Sequence, residues 1–254
     1  MHHLNSHPEI EELRAVNCDI NDEVAKIIAS TYHLKKITLT VNQISAKGAQ
    51  YLSRLTLDFL DLSYNSIDNE AIAYFEFSQI QELHLSGCVD LVNAGAAILL
   101  RNPHIKSLDL TETDINDHSL VPLSENTTLI SLDISRCPRL TAGVMHFIKN
   151  NHTLKRLSIH HNPEFGDEAV NILCSGSSCL EYFQLSGTKL TNQGLESLLD
   201  YPGSCELVID NDSNFDKGIV ERLKIHFPKG RFTGELWHYW NGEQKPHFYS
   251  TLLP

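Results

Sequence analysis

The chain has 254 residues, 41% of them hydrophobic, and a formal charge of −12, which gives enough apolar material for a sizeable core in one or two domains. No stretch approaches the roughly 20 consecutive apolar residues that cross a bilayer, and the opening MHHLNSHPEIEEL lacks the apolar core of a secretory signal. A soluble protein with no membrane span is expected. The charge is uneven: residues 1–127 carry 8 Lys/Arg against 18 Asp/Glu, and residues 128–254 carry 12 against 14. Such a chain repels nucleic acid and would draw a basic protein surface to its N-terminal half.

Taken in chain order, the apolar residues repeat. The order apolar-x-x-apolar-x-apolar, followed three residues later by Asn, Cys, Thr or Asp, starts at Ile10 (IEELRAVNC), Leu34 (LKKITLTVN), Leu57 (LDFLDLSYN), Ile80 (IQELHLSGC) and Ile105 (IKSLDLTET). It continues at Leu129 (LISLDISRC), Leu154 (LKRLSIHHN), Leu180 (LEYFQLSGT) and Ser204 (SCELVIDND), with 23 to 26 residues between successive starts. Each unit opens with period 2 and then changes to period 3.6, which predicts a short strand followed by a helix. A further apolar residue (Ile44, Ile67, Ile115 or Leu190) precedes a helix N-cap at Ser45, Asp68, Asn116, Thr141, Thr191 or Asp216. Four units, with turns CVDL, CPRL, NPEF and DSNF, carry one extra residue, absorbed before the helix. Phe232 falls in the register of a degenerate tenth strand, 25 residues after Leu207.

These residues resemble leucine-rich repeats. Short units such as LSYNSIDNEAIAYF look like the ribonuclease-inhibitor type, and SLDISRCPRLTAGV looks like the cysteine-containing type found in substrate receptors of ubiquitin ligases. The resemblance implies an α/β fold: a right-handed horseshoe solenoid with a parallel sheet on the concave face and helices on the convex face. The periodicity independently supports alternating strands and helices, because parallel strands need crossovers. The expected organisation is a short N-terminal cap at 1–9, nine repeats plus the tenth strand over 10–232, and a C-terminal cap at 233–254. In that last segment Trp237, Tyr239, Trp240, Phe248 and Tyr249 flank an Asn241-Gly242 hairpin turn. Two readings of these aromatics stand: cover for the last repeat, or a ligand site.

The column closing each strand reads Cys18, Asn42, Asn65, Cys88, Thr113, Cys137, Asn162, Thr188 and Asp212. Each neutral member can donate a hydrogen bond to carbonyls that the turn removes from the sheet, so the column is expected to be structural. This absorbs three of the six cysteines. Ladder thiols two or three strands apart are about 10 to 15 Å distant, too far for a disulfide, so free thiols and a reducing, cytosolic compartment are expected. No CxxC, HExxH, Walker or nucleophile-elbow spacing occurs among the 14 His and remaining residues. No catalytic residue, metal or cofactor is therefore expected. The triplets Asn126-Thr127-Thr128, Asn151-His152-Thr153 and Asn211-Asp212-Ser213 match the glycosylation sequon and are read as incidental without a secretory signal.

Alternation sends the residues between the apolar ones onto the concave face. There Phe59, Asp61, Tyr64, Glu82, His84, Asp109, Asp133, Arg136, Arg156, His160, His161 and Tyr182 are the candidate partner-binding residues. They form an acidic centre at Asp61, Glu82 and Asp109 and a more basic region around Arg136, Lys155 and Arg156. Exposed aromatics and Arg are the side chains that anchor interfaces. His160 interrupts a column otherwise made of Ser and Thr, either as a bump on the inner face or as drift at an exposed site.

The expected function is a non-enzymatic module binding a partner protein on its concave face, and the acidic charge points to a partner with a basic surface. The repeat pattern in an acidic chain resembles secreted leucine-rich-repeat effectors of intracellular bacteria, acting on host proteins in the host cytoplasm as virulence factors. The alternative is the substrate-binding part of a ubiquitin ligase adaptor without its F-box.

Overall fold

The computed structural model describes residues 7, 9–30, 33–210 and 215–233. Ten parallel strands lie side by side in chain order: β1 (Glu12–Arg14), β2 (Lys36–Thr38), β3 (Phe59–Asp61), β4 (Glu82–His84), β5 (Ser107–Asp109), β6 (Ser131–Asp133), β7 (Arg156–Ser158), β8 (Tyr182–Gln184), β9 (Glu206–Asp210) and β10 (Arg231–Thr233). Nine are only three residues long, because each unit gives the sheet one inward apolar residue between two outward positions. The order is linear, so the sheet is open and each strand meets only its sequence neighbours.

The connections run along the other face. They are α1 (Asp22–Ile28), α2 (Ala46–Leu52), α3 (Asn69–Ala73), α4 (Asn93–Leu99), a 3-10 helix at Asp117–Ser124, a 3-10 turn at Ala142–Val144 that runs into α5 (Met145–Ile148), α6 (Asp167–Cys174), α7 (Asn192–Leu198) and α8 (Lys217–His226). The fifth unit departs from the expected α-helix because Pro122 lies within it, without an N–H for an α-helical bond. Asp68, Asn116, Thr141, Thr191 and Asp216 accept backbone N–H groups from the first turn of their helices. Ser45 departs from this pattern, and its hydroxyl donates instead to Asp22 Oδ2 at 2.6 Å.

Between the layers runs one continuous core, with Leu60, Leu83, Leu108, Leu132 and Leu157 from the strands and Phe75, Leu99, Leu123, Ile148 and Leu173 from the helical side, all buried. No helix among the described residues is long and apolar enough to cross a membrane. Asp212 of the closing column, residues 1–6 of the N-terminal segment and residues 234–254 with their aromatics lie outside the described residues.

Candidate functional site

The closing column sits where each strand leaves the sheet. Asn65 Nδ2 donates to the carbonyls of Leu39 (2.8 Å) and Leu62 (3.0 Å), and its Oδ1 accepts the Ile44 N–H at 2.9 Å. Asn42 Nδ2 donates to Ala15 O and Leu39 O, and Asn162 Nδ2 to Ile134 O. The shorter side chains reach fewer groups: Thr113 Oγ1 donates to Leu110 O at 2.6 Å, Thr188 Oγ1 to Leu185 O at 2.8 Å, and Cys137 Sγ to Leu110 O at 3.2 Å. Cys88 Sγ stands 3.5 Å from Leu62 O. Cys18, at the exposed first unit, donates to Val16 O. Burial pushes the Cys88 and Cys137 thiols up to about 12 and about 11, so both keep the proton they donate. Each cysteine is a free thiol.

On the concave face, Asp61, His84, Asp109 and Asp133 stand in register on β3 to β6. The expectation that they are exposed is corrected: all four are less than a tenth exposed, and so is Tyr182. Strands about 4.8 Å apart leave little room between rows, and hydroxyls of the next column cover the carboxylates. Thr40 Oγ1 donates to Asp61 at 2.9 Å and Ser86 Oγ to Asp109 at 2.6 Å, while the N–H groups of Ser63, Thr111 and Ser135 reach Asp61, Asp109 and Asp133. Each carboxylate thus takes a hydroxyl from the preceding unit. Where the row carries His84 or Val208 instead, the preceding hydroxyl, Ser63 or Ser186, is buried without a partner.

His84 bonds Glu82 at 2.9 Å and meets the Phe59 ring edge-on at 4.8 Å. Burial opposes its protonation, but the Glu82 hydrogen bond and the charges of Asp109 and Asp61 outweigh this and raise its pKa. Asp133, desolvated and beside Asp109, is pushed up to about 7. The centre of the face therefore holds more negative charge than it compensates.

Tyr64, Arg136 and His161 come together with Glu112 along the rim where the strands end. Their residues share a left-handed backbone, with φ of 55°, 54°, 55° and 59° respectively, in a column where Gly87 and Gly187 also have positive φ. A Cβ on Gly87 would lie 2.3 Å from the Tyr64 ring, and one on Gly187 2.3 Å from His161 Nδ1. The two glycines let those rings lie flat on the backbone. Tyr64 donates to Glu112 Oε2 at 2.8 Å, and Arg136 Nε lies 3.7 Å from Glu112 Oε1. The Tyr64 hydroxyl is pushed up to about 12 by burial and by Glu112. His160 packs on His161 with ring centroids 5.1 Å apart. Burial, His161 and Arg136 push His160 down to about 4, so it is neutral at pH 7. It is only partly exposed, which corrects its reading as an exposed site. Arg156 lies over the Tyr182 ring, 4.3 Å from its centroid. The basic region is weaker than expected, because Glu112 faces Arg136 and Glu181 lies 3.4 Å from Lys155.

Two further ladders escaped the sequence reading. In the first, the residue opening one helix accepts N–H groups that open the next: Asp22 those of Ser45 and Gly48, Asn69 those of Val92 and Gly95. Asp117 and Asp167 likewise accept from Thr141 and Thr191. A Cβ on Gly48, Gly95, Gly143 or Gly194 would come within 2.6, 2.6, 2.9 and 2.2 Å of the Asp or Asn oxygen before it. The signal was present, since Ala46 and Ala142 replace the acceptor where Ala71 and Ala169 replace the glycine. In the second ladder, Asn102, Asn126 and Asn151 Nδ2 donate to Phe75 O, Leu100 O and Leu123 O at 2.7 to 2.8 Å. Each stands three residues before the first apolar residue of its unit. Two of the sequon asparagines, Asn126 and Asn151, thus have their amide nitrogens engaged in the fold. Among the described residues no group of three His, Cys, Asp or Glu is arranged to hold a metal ion.

A family model described as Leucine Rich repeat matches residues 101–124, 150–171 and 176–199, segments that carry β5, β7 and β8 of the solenoid. The fold is a leucine-rich-repeat solenoid. The chain is 26% identical over 185 residues to the NACHT, LRR and PYD domains-containing protein 5 of Bos taurus, covering 66% of this chain and 15% of that protein. The chain thus spans a small part of the length of that relative. Its fold is similar to one in the crystal structure of the Rad7 and Elc1 complex in yeast, with a TM-score of 0.53 and 17% identity over 87% of this chain and 68% of that chain.

Proposed function

We propose that this leucine-rich repeat array is a non-enzymatic module that takes a partner protein on its concave face. The carrying observation is the row Asp61, His84, Asp109 and Asp133, whose carboxylates are fixed by hydroxyl and backbone donors on a rigid sheet. Fixed polar groups lose little freedom on binding, which favours affinity. Phe59 beside the row and Tyr64 and Arg136 at the rim supply aromatic and guanidinium surface. Crosslinking of a captured partner tests the reading: the links should fall on the concave face, and Phe59→Ala and Arg136→Ala should weaken capture while Glu168→Gln on α6 does not. Links confined to the helical face would overturn it.

A second reading, the recognition array of a ubiquitin ligase adaptor, draws support from the cysteine-type units and from the fold shared with the Rad7 and Elc1 complex. Stable co-elution of the chain with Elc1 would favour it, and separate elution would remove it. The bacterial-effector setting rests on the repeat pattern alone.

A further inference from the structure

The concave face is unusual in what it lacks. Asp61, Asp109 and Asp133 share its centre with Glu82, and His84 is the basic residue within the row. Asp61 and Asp109 each accept one hydroxyl and one backbone N–H, which leaves lone pairs of each carboxylate unused. Two buried hydroxyls on the same side also have no partner. Ser63 Oγ adjoins His84, and Ser107 Oγ lies in register between Glu82 and Ser131, two residues before Asp109 and therefore on its face of β5. Ser63 is fully buried and Ser107 is 4% exposed. The floor is thus short of positive charge and of hydrogen-bonding partners at once.

Lysine and arginine supply both, as cations with several donors. Phe59, half-buried at the edge of the row, offers an aromatic face for a guanidinium or an aliphatic stem. A divalent cation fits less well, since no three ligating side chains converge among the described residues.

We propose that this acidic floor docks an extended, lysine- and arginine-bearing segment of the partner protein, laid across β3 to β6 with its cationic heads against Glu82, Asp109 and Asp133. The inference rests on the concave face being the binding surface.

The test uses the full chain and fluorescent octapeptides of alternating Arg and Ala, or Glu and Ala, read by anisotropy in low salt. The Arg-Ala peptide should bind and weaken as salt is added, and the Glu-Ala peptide should not bind. Glu82→Gln with Asp109→Asn should weaken the Arg-Ala peptide about tenfold. Glu70→Gln with Glu168→Gln, an equal change in net charge on the helical side, should change it less than about twofold. Should the Asp109 variant fail to fold, Glu82→Gln alone against Glu70→Gln alone gives the same comparison with a smaller difference. Equal losses in the two pairs would mean attraction to net charge only and would overturn the inference, as would no binding to the parent protein. If the Arg-Ala peptide fails while capture of the partner is still lost in Phe59→Ala, the concave face stands and the basic segment falls.

Discussion

Replacing Asn65 by alanine removes a buried rivet of the array. Its amide nitrogen serves the carbonyls of Leu39 and Leu62, and its oxygen serves the N–H of Ile44. Methyl cannot replace any of these, and Asn65 is only 8% exposed, so water cannot readily replace them either. The Ile44 N–H is left without its partner, Leu62 O keeps only the long Cys88 contact and Leu39 O keeps Asn42, so the loss should be about 2 to 4 kcal/mol, a large share of the roughly 5 to 15 kcal/mol that holds a typical domain together. Cys88→Ala gives up one long sulfur contact, at 3.5 Å to Leu62 O, and should cost about 1 kcal/mol. Lys106→Ala gives up an exposed contact to Gln81 and should cost less than about 0.5 kcal/mol. Urea unfolding followed by circular dichroism reads the order directly. With a slope of about 2 kcal/mol/M, the Asn65 variant should lose about 1 to 2 M in midpoint. Equal midpoints for the Asn65 and Lys106 variants, or a larger loss for Cys88→Ala than for Asn65→Ala, would refute the structural account of the column.

Asp133 has a folded pKa of about 7 against an ordinary 3.8, so the folded state holds its proton more tightly than the unfolded chain. Its contribution to stability is full below about pH 4 and is lost as pH rises to about 7, by at most about 4 kcal/mol. Asp133→Asn should therefore flatten the stability profile between pH 5 and 8 and raise stability at pH 8, and an unchanged slope in denaturant titrations would count against this. Gly194→Ala places a methyl 2.2 Å from Asp167 Oδ1 and should cost about 1 to 3 kcal/mol. In an Asp167→Ala background it should cost less than about 1 kcal/mol, so a double-mutant cycle that came out additive would contradict the cross-unit contact. With a thiol reagent at pH 8, exposed Cys18 and Cys179 should react at once and Cys174, pushed up to about 11 by burial, more slowly. Buried Cys88, Cys137 and Cys205 should wait for unfolding, and prompt reaction of more than three thiols would show a looser array.

The solenoid was legible because its signal is redundant: one apolar pattern, written nine times, places every strand from β1 to β9. The ring of the fifth unit's Pro122 was visible too, but a period of 3.6 does not separate an α-helix from a 3-10 helix when the apolar residues are few. The candidate site was harder to read. Strand alternation places Asp61, His84, Asp109 and Asp133 on one face, yet it says nothing of how deeply neighbouring rows shield them, and that depth sets the proton affinity of Asp133. Tyr64 was found as an aromatic residue on the concave face, whereas Glu112, its hydrogen-bond partner two strands away, was not. The left-handed backbone that turns both side chains along the rim leaves little trace when the residues adopting it are Tyr, Glu, Arg and His as well as glycine.

The pairing of an acceptor in one unit with a glycine in the next bears on how such a chain can grow. Asp167 is matched to Gly194 and Ala142 to Ala169, so the complementary halves of each match lie in different units. Copying the unit of Asp167 and Ala169 would set a methyl against a carboxylate at the new junction, whereas the unit of Asn93 and Gly95 matches its own copy. Heredity in this array should therefore act on seams, with insertions and losses surviving where the flanking partners agree, and the order of its units is a record of which neighbours could be joined.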